Sequence, residues 1–144
     1  MPTDEEAIRS LLQRQFESLS WSPEKEAGWN DFTADFLPDA PLYGASRPAK
    51  PQTADGFVAR MKQLSTTSLP ALDERLVGFK THVFGNIAVV FAVCELNEND
   101  TEVSRNVEAM LLIKDGERWR SAAQAWDTEG EGKPIPPAFL EPSA

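Results

Sequence analysis

Cysteine and histidine are almost absent from this sequence, and their scarcity excludes two kinds of site. The 144 residues include one cysteine, Cys94, and one histidine, His82. An internal disulfide needs two cysteines, and a zinc site needs three or four clustered ligands. We therefore predict no internal disulfide and no metal site. Cys94 lies within an apolar run, so we expect a small buried hydrophobic residue rather than a reactive thiol.

Positive charge is scarce as well. Lys and Arg total 14 against 23 Asp and Glu, which gives a net charge of −9. Because nucleic-acid binding depends on lysine and arginine at phosphates, this balance predicts no nucleic-acid partner. The sequence also lacks a glycine-rich phosphate loop and a Ser/His/Asp set, so we predict no cofactor.

Long apolar runs are missing too. A bilayer-spanning helix needs about 20 apolar residues, and no run approaches that length. The first residues, "MPTDEEAIRS", are acidic where a signal peptide is basic. These features predict a protein that does not associate with membranes and resides in the reducing cytoplasm.

The first part of the sequence has apolar residues at the spacing of helices. The length predicts a single domain. Thr3 and Glu6 form a capping-box pattern before a first amphipathic helix. A second helix is predicted to begin at Ser22, to carry Trp29 on its apolar stripe and to end before the proline of "FLPDA". After a short strand from Pro41 to Arg47, a third helix is predicted with Thr53 as its N-cap.

After Leu72 the pattern changes from helices to strands. Gly85-Asn86 is a two-residue hairpin signal, "IAVVFAVCEL" is the strongest strand, and "NEND" and Asp115-Gly116 mark two further turns. Three helices followed by a four-strand antiparallel meander predict an α+β fold. We assign residues 1–130 to the domain and 131–144 to an irregular tail rich in proline and glycine.

Both faces of the central strand are apolar, which one layer of helices cannot cover. A two-residue turn at Gly85-Asn86 places His82 opposite Val89 and Lys80 opposite Phe91. An antiparallel sheet with one hydrated face would alternate apolar and polar residues, and this strand does not. We therefore predict that a second copy covers part of the outer face in a homodimer.

The order of these elements resembles a known family. An F-x-x-D-A turn at Phe36–Ala40 follows the first helices, and the phrases "GNIAVV" and "KDGERWR" frame the meander. Over residues 4–128 the chain resembles the nuclear transport factor 2-like (NTF2-like) superfamily, especially its ketosteroid isomerase-like and SnoaL-like branches. The resemblance implies a cone of three N-terminal helices packed on a strongly curved antiparallel sheet, with a pocket inside and frequent dimerisation.

The isomerase residues of that family do not carry over. Aligning the D-A turn places Gly44 where the family has its carboxylate base, and Gln15 or Phe16 where it has its oxyanion-stabilising tyrosine. A base must reach its proton within about 3 Å, directly or through one water, which glycine cannot do. Fold membership alone does not settle function.

Three other residues are candidates for catalysis: Glu108, Asp39 and His82. Asp39 lies between two prolines and is either a turn former or a ligand-orienting acid at the mouth of the cone. His82 shares a strand face with Val89 and Phe91, so it is either structural or, if that face is concave, a titratable group in the pocket.

Glu108 interrupts the apolar alternation of "NVEAMLLI", and its face depends on the length of the preceding loop. A two-residue loop within "NEND" puts Glu108 beside Phe91, whereas an odd-length loop moves Val107 and Ala109 there. If Glu108 faces the interior, burial raises its pKa and it becomes a candidate acid or base.

The predicted pocket is lined by apolar and aromatic residues with few polar groups. We assign Trp29, Tyr43, Phe57, Phe91, Gln124 and Trp126 to it. This composition favours binding of a small, largely apolar organic molecule, with cofactor-independent acid–base chemistry as a further step. The alternative is a non-catalytic dimerisation or ligand-binding module whose cone is filled by side chains. The sequence leaves open whether the protein is an enzyme.

Overall fold

A computed structural model of the protein describes residues 2–140. The helices are α1 (Asp4–Glu17), α2 (Trp29–Ala34) and α3 (Ala54–Ser65), and the strands are β1 (Leu42–Tyr43), β2 (Pro51–Gln52), β3 (Leu72–Phe84), β4 (Ile87–Glu98), β5 (Glu102–Asp115) and β6 (Arg118–Thr128). A short 3-10 helix, Pro137–Leu140, follows the last strand. Among residues 2–140 no helix is both long enough and apolar enough to cross a membrane.

The strands form one open sheet in the order β2-β1-β6-β5-β4-β3. The predicted four-strand meander is confirmed, but the whole sheet is mixed rather than antiparallel because β1 runs parallel to β6. Register shifts at Leu76/Gly78 and Leu111/Leu112 interrupt the ladders. Such bulges bend a strand and increase its twist, and the sheet curves around the helices. The predicted α+β cone is confirmed.

The two hairpin turns of the meander set which side chains face the helices. The predicted register at Gly85-Asn86 is confirmed, with His82 paired to Val89. At the next turn Glu98 pairs with Glu102, so the loop has an odd number of residues. Asn99 and Asp100 both adopt positive φ there, which Asn and Asp tolerate better than most residues. Glu108 is therefore opposite Ala92.

Helices α1 and α3 begin where the sequence predicts. The Thr3 N–H donates to Glu6 Oε1 at 3.0 Å and the Glu6 N–H donates to Thr3 Oγ1 at 3.1 Å, which completes the capping box. The Thr53 hydroxyl caps α3 by accepting from the Gly56 N–H at 3.0 Å. Residues Ile8, Leu11, Leu12 and Phe16 of α1 are buried against the sheet in the larger core cluster.

The prediction for the second helix is wrong at its start. Helix α2 begins at Trp29, after Gly28 rather than Ser22. The backbone upstream is already paired, because Trp21 and Leu72 exchange N–H to carbonyl hydrogen bonds of 2.8 and 2.9 Å. Ser22 and Lys25 then close a tight turn through their own backbone groups. Long-range pairing thus satisfies backbone groups that a helix would otherwise use.

The two faces of β4 have different surroundings. Its inner face, with Val90, Ala92 and Cys94, packs towards α1 and is buried. On the outer face, the tail helix covers one end, where the Phe139 ring stacks on Phe91 at 4.9 Å with an interplanar angle of 10°. Apolar side chains elsewhere on the outer side of the sheet are exposed to solvent. The exposed fraction is 83% for Phe84, 51% for Ile87, 49% for Val89 and 43% for Leu111.

Candidate functional site

A cavity of about 200 Å³ lies between the inner face of the sheet and the helices. Its polar and aromatic lining residues come from six elements and the segment after α1: Gln15 of α1, Trp21 after α1, Phe32 of α2, Phe57 and Arg60 of α3, Glu74 of β3, Asn106 and Glu108 of β5, and Gln124 and Trp126 of β6. Leucines supply most of the remaining wall: Leu19, Leu42, Leu64, Leu69, Leu72 and Leu96. This space, called the cone cavity below, is largely apolar with several polar groups converging on it.

Glu108 is held in the cone cavity by two neighbours. Its Oε1 accepts a hydrogen bond of 3.0 Å from Gln124 Nε2, and its Oε2 accepts one of 3.6 Å from Cys94 Sγ. Burial raises the pKa of this carboxyl to about 7, although hydrogen bonds from Cys94 and Gln124 partly oppose the effect. Near neutral pH, Glu108 therefore populates both its acid and its carboxylate form.

Gln124 links Glu108 to helix α1. Its Nε2 also donates to Gln15 Oε1 at 3.1 Å, so one amide group bridges β5 and α1. Among the described residues, Gln15 Nε2 and Gln124 Oε1 are buried without a hydrogen-bond partner. An unpaired buried donor or acceptor costs about 1–3 kcal/mol, so both atoms favour a ligand with matching polar groups.

Glu74 is a second buried acid in the cone cavity, and the sequence analysis missed it. Its Oε2 is buried with no hydrogen-bond partner among residues 2–140. Burial raises the pKa of this carboxyl well above its usual value, and the charge of Glu108 adds to the shift. The signal was present, because alternation in "LDERL" places Glu74 on the same face as Leu72 and Leu76, both of which pack inward.

Cys94 is buried, as predicted, and it lies beside Glu108. Burial, followed by the charges of Glu108 and Glu74, raises the pKa of its thiol far above the usual range. The thiol stays protonated and acts as a weak donor to the carboxylate. The part of the chain that the structure describes contains no cluster of three His, Cys, Asp or Glu side chains able to hold a metal ion.

Several solved structures are similar to this one. No protein-family model and no curated protein matches the chain. An NTF2-like protein of unknown function from Pseudomonas putida KT2440 matches with a TM-score of 0.68 at 14% identity, covering 92% of each chain. A candidate scytalone dehydratase from Novosphingobium aromaticivorans matches with a TM-score of 0.65 at 11% identity, covering 86% of this chain and 83% of that one. The chain has the NTF2-like fold.

A third similar structure carries a different label for the same fold. The protein from Caulobacter vibrioides, described as cystatin-like, matches with a TM-score of 0.66 at 14% identity and covers 88% of this chain and 89% of that one. Identities this low show the NTF2-like fold and leave the activity to be argued from the site itself.

The NTF2-like fold brings four of the predicted site residues into the cone cavity: Glu108, Gln124, Phe57 and Trp126. The rings of Phe57 and Trp126 meet edge to face at 5.6 Å. Trp126 therefore packs against Phe57 and also lines the cavity. The sequence alone did not show which of these two roles it has.

Two predicted residues lie on the outer face instead. His82 is exposed, and Phe91 is 44% exposed under the Phe139 ring. The interpretation that their face is the concave one is wrong. Because both faces of β4 are apolar, hydrophobicity did not distinguish them, and the tertiary contact of α1 with Val90, Ala92 and Cys94 decides the matter.

Three other predicted residues lie outside the cone cavity. Asp39 is exposed with φ of 61°, a left-handed conformation that suits its role as a turn former. Trp29 is buried, with its ring 5.3 Å from that of Trp21. Tyr43 is half-buried on β1, between β2 and β6.

The structure also shows what surrounds Gly44, the position at which the resemblance places a catalytic base. A Cβ added to Gly44 would lie 3.2 Å from Trp126 Cζ2, tighter than an ordinary van der Waals contact. The indole ring occupies the space into which a side chain at position 44 would project. Gln15, at the other position considered in the alignment, does reach the cone cavity and offers an amide donor there.

Proposed function

We propose that the cone cavity binds a small, largely apolar organic molecule and that Glu108 exchanges a proton with it. The observation that carries this proposal is a buried carboxyl group, with a pKa near 7, facing an apolar cavity. Effective general acids and bases have pKa values close to the working pH. The SnoaL-like and isomerase-like branches suggested by the sequence fit such cofactor-independent chemistry.

The size of the cone cavity limits the ligand. Pockets for drug-sized molecules measure about 300–1,000 Å³. An apolar cavity of about 150 Å³ holds benzene. A space of about 200 Å³ therefore suits a molecule with a single ring and short substituents.

The polar groups suggest proton transfer next to a carbonyl. In this scheme the Glu108 carboxylate removes a proton from the carbon beside the ligand carbonyl, and the C–H electron pair moves to form an enolate. The unpaired Gln15 Nε2 donates a hydrogen bond to the developing oxyanion. The Glu108 carboxylic acid then returns its proton to carbon, which completes an isomerisation or a solvent exchange.

Hydrogen–deuterium exchange tests this chemistry without knowledge of the natural substrate. We expect the protein to accelerate deuterium incorporation into cyclohexenone in D₂O, observed by proton NMR, and Glu108→Gln to abolish the acceleration. Gln has nearly the same shape but does not accept the proton. Glu102→Gln, which changes an exposed acid on the same strand, serves as the control and should keep the wild-type rate. Equal rates for wild type and Glu108→Gln would remove Glu108 from the mechanism.

The second candidate function is a non-catalytic ligand-binding or dimerisation module. It is favoured by Trp126, whose ring fills the space beside Gly44. This candidate predicts that single-ring ligands raise the melting temperature without any protein-dependent exchange.

We also propose that a second copy covers the exposed part of the outer face. Phe84, Ile87, Val89 and Leu111 lie together across β3, β4 and β5, and the part of the tail that the structure describes covers the end near Phe91. Two identical apolar surfaces are self-complementary across a two-fold axis. This arrangement is the homodimer expected from the two apolar faces of β4.

Light scattering after size exclusion tests the dimer. We expect a mass near twice 15.9 kDa for the wild type. Val89→Glu places a charge in the middle of the apolar face and should yield a monomer, because burying an unpaired carboxylate is strongly unfavourable. Gln63→Glu adds the same charge to an exposed position of α3 and should leave the dimer intact. A wild-type monomer at micromolar concentration contradicts the proposal.

A cytoplasmic location, expected from the sequence, stays a prediction.

A further inference from the structure

The cone cavity contains two buried acids and no buried base. The structure pairs its other deeply buried carboxylate with cations: Asp35 Oδ1 accepts from Arg14 at 2.7 Å and from Arg118 at 3.2 Å. Among residues 2–140, neither Glu74 nor Glu108 forms an ion pair with a basic side chain. An unpaired buried carboxylate is costly, which favours a cation from outside the chain.

Glu74 is the less satisfied of the two acids. Glu108 already accepts hydrogen bonds from Gln124 and Cys94. Glu74 is 7% exposed, and its Oε2 has no partner in the part of the chain described here. Its backbone is fixed by Ser20, whose hydroxyl accepts from the Glu74 N–H at 3.0 Å. The free oxygen is therefore a positioned acceptor in the wall of the cavity.

The apolar wall is compatible with a cation. Trp21, Phe57 and Trp126 line the same cavity as Glu74, and aromatic faces attract ammonium groups. The one basic side chain in the lining is Arg60, which is exposed on α3. Arg60 therefore does not neutralise the two buried acids, although its guanidinium group can pair with an anionic ligand.

We propose that the ligand of the cone cavity is a single-ring organic amine whose ammonium group pairs with the carboxylate of Glu74. This inference rests on the proposed function and specifies its ligand class. Glu74 acts as the specificity-determining anchor, and Glu108 remains free to exchange a proton with the rest of the ligand. Burial raises the pKa of Glu74, so the arriving ammonium group displaces a proton from this carboxyl to solvent.

Three single-ring probes of similar size test the inference by calorimetry at pH 7.5: benzylamine, benzyl alcohol and benzoate. We expect benzylamine to bind at least about tenfold more tightly than benzyl alcohol, since hydrogen bonds to charged groups are the stronger class. Benzoate should bind more weakly than either because its carboxylate would be buried without a cation, next to Glu74 and a partly ionised Glu108.

Glu74→Gln should remove the preference for benzylamine over benzyl alcohol. Continued binding of benzyl alcohol shows that the cavity of the variant is intact. Asp73→Asn removes the same charge from the neighbouring, exposed position and should leave the preference within about threefold of wild type. If Glu74→Gln binds neither probe, Glu74→Asp, which keeps the charge, replaces it and must still favour benzylamine.

The outcomes separate this inference from the proposed function. Binding of benzyl alcohol or benzoate to the wild type as tightly as benzylamine overturns the amine inference and leaves the cavity a ligand site. An amine preference that survives in Glu74→Gln overturns the role of Glu74. Failure of all three probes to bind the wild type overturns both the inference and the ligand proposed for the cavity.

Discussion

The inner and outer faces of β4 are equally apolar in sequence, and yet they serve different purposes. The inner residues Val90, Ala92 and Cys94 are buried against α1 and end beside the acids of the cone cavity. The outer residues Val89 and Phe91 are about half exposed. A strand with period-two geometry thus faces the proposed ligand cavity on one side and a proposed interface on the other. Hydrophobicity marks both faces, and only tertiary contacts distinguish them.

The largest expected difference between the faces is in stability. Phe79, on the inner face of β3, is 1% exposed, whereas Phe91 is 44% exposed. Phe79→Ala should lower the free energy of unfolding by about 3–5 kcal/mol, the usual cost of deleting a buried phenyl ring. Phe91→Ala should cost less than half as much. Urea denaturation of both variants checks the comparison, and similar losses would show that the outer face is as well packed as the inner one.

The buried acids predict an intermediate effect, which depends on pH. A carboxyl whose pKa rises on folding contributes stability that is complete below its unfolded pKa of about 4.5 and is lost as pH rises through about 7. Relative to Glu108→Gln, the wild type should lose on the order of 1–3 kcal/mol between pH 4.5 and 8, at about 1.4 kcal/mol per unit of pKa shift.

Urea denaturation across that pH range measures this difference. Glu74 remains in both proteins, and because the charge of Glu108 raises its pKa, the subtraction reports Glu108 together with its effect on Glu74. A difference that does not change with pH would mean that Glu108 is ionised and solvated in the folded protein.

The smallest effect concerns the tail on the outer face. A Cβ on Gly78 would lie 2.5 Å from the Phe139 carbonyl oxygen, a clash that displaces the 3-10 helix. Gly78→Ala should cost about 1–2 kcal/mol and speed proteolysis after residue 130. Gly130→Ala meets no atom within 4 Å and is the matched control. Unchanged proteolysis in Gly78→Ala would show that the tail is held by other contacts.

Local patterns predicted much of the fold. The caps at Thr3 and Thr53 and the turn at Gly85 each depend on residues within a few positions, and all three are confirmed. The start of α2 was mispredicted because Trp21 pairs with Leu72, far along the chain. Local propensity contains no information about such a partner.

The candidate site was harder to predict than the fold. The face of Glu108 depends on one residue of loop length in "NEND", where Asn and Asp tolerate left-handed backbone at more than one position. Glu74 was detectable from the alternation in "LDERL" but was not predicted, because this strand is far less apolar than β4 and gives a weaker signal. Phe91 was assigned to the pocket, and His82 was left as either structural or a pocket group, because β4 gives no local reason to choose a side.

The contact between Gly44 and Trp126 has a consequence for how this protein changes over evolutionary time. A side chain introduced at position 44 meets the indole ring, which must shift by a few tenths of an ångström to make room. The two sites are therefore coupled: the effect of an acid at position 44 depends on the size and freedom of residue 126. A change of chemistry on the first strand thus depends on the last strand of the sheet.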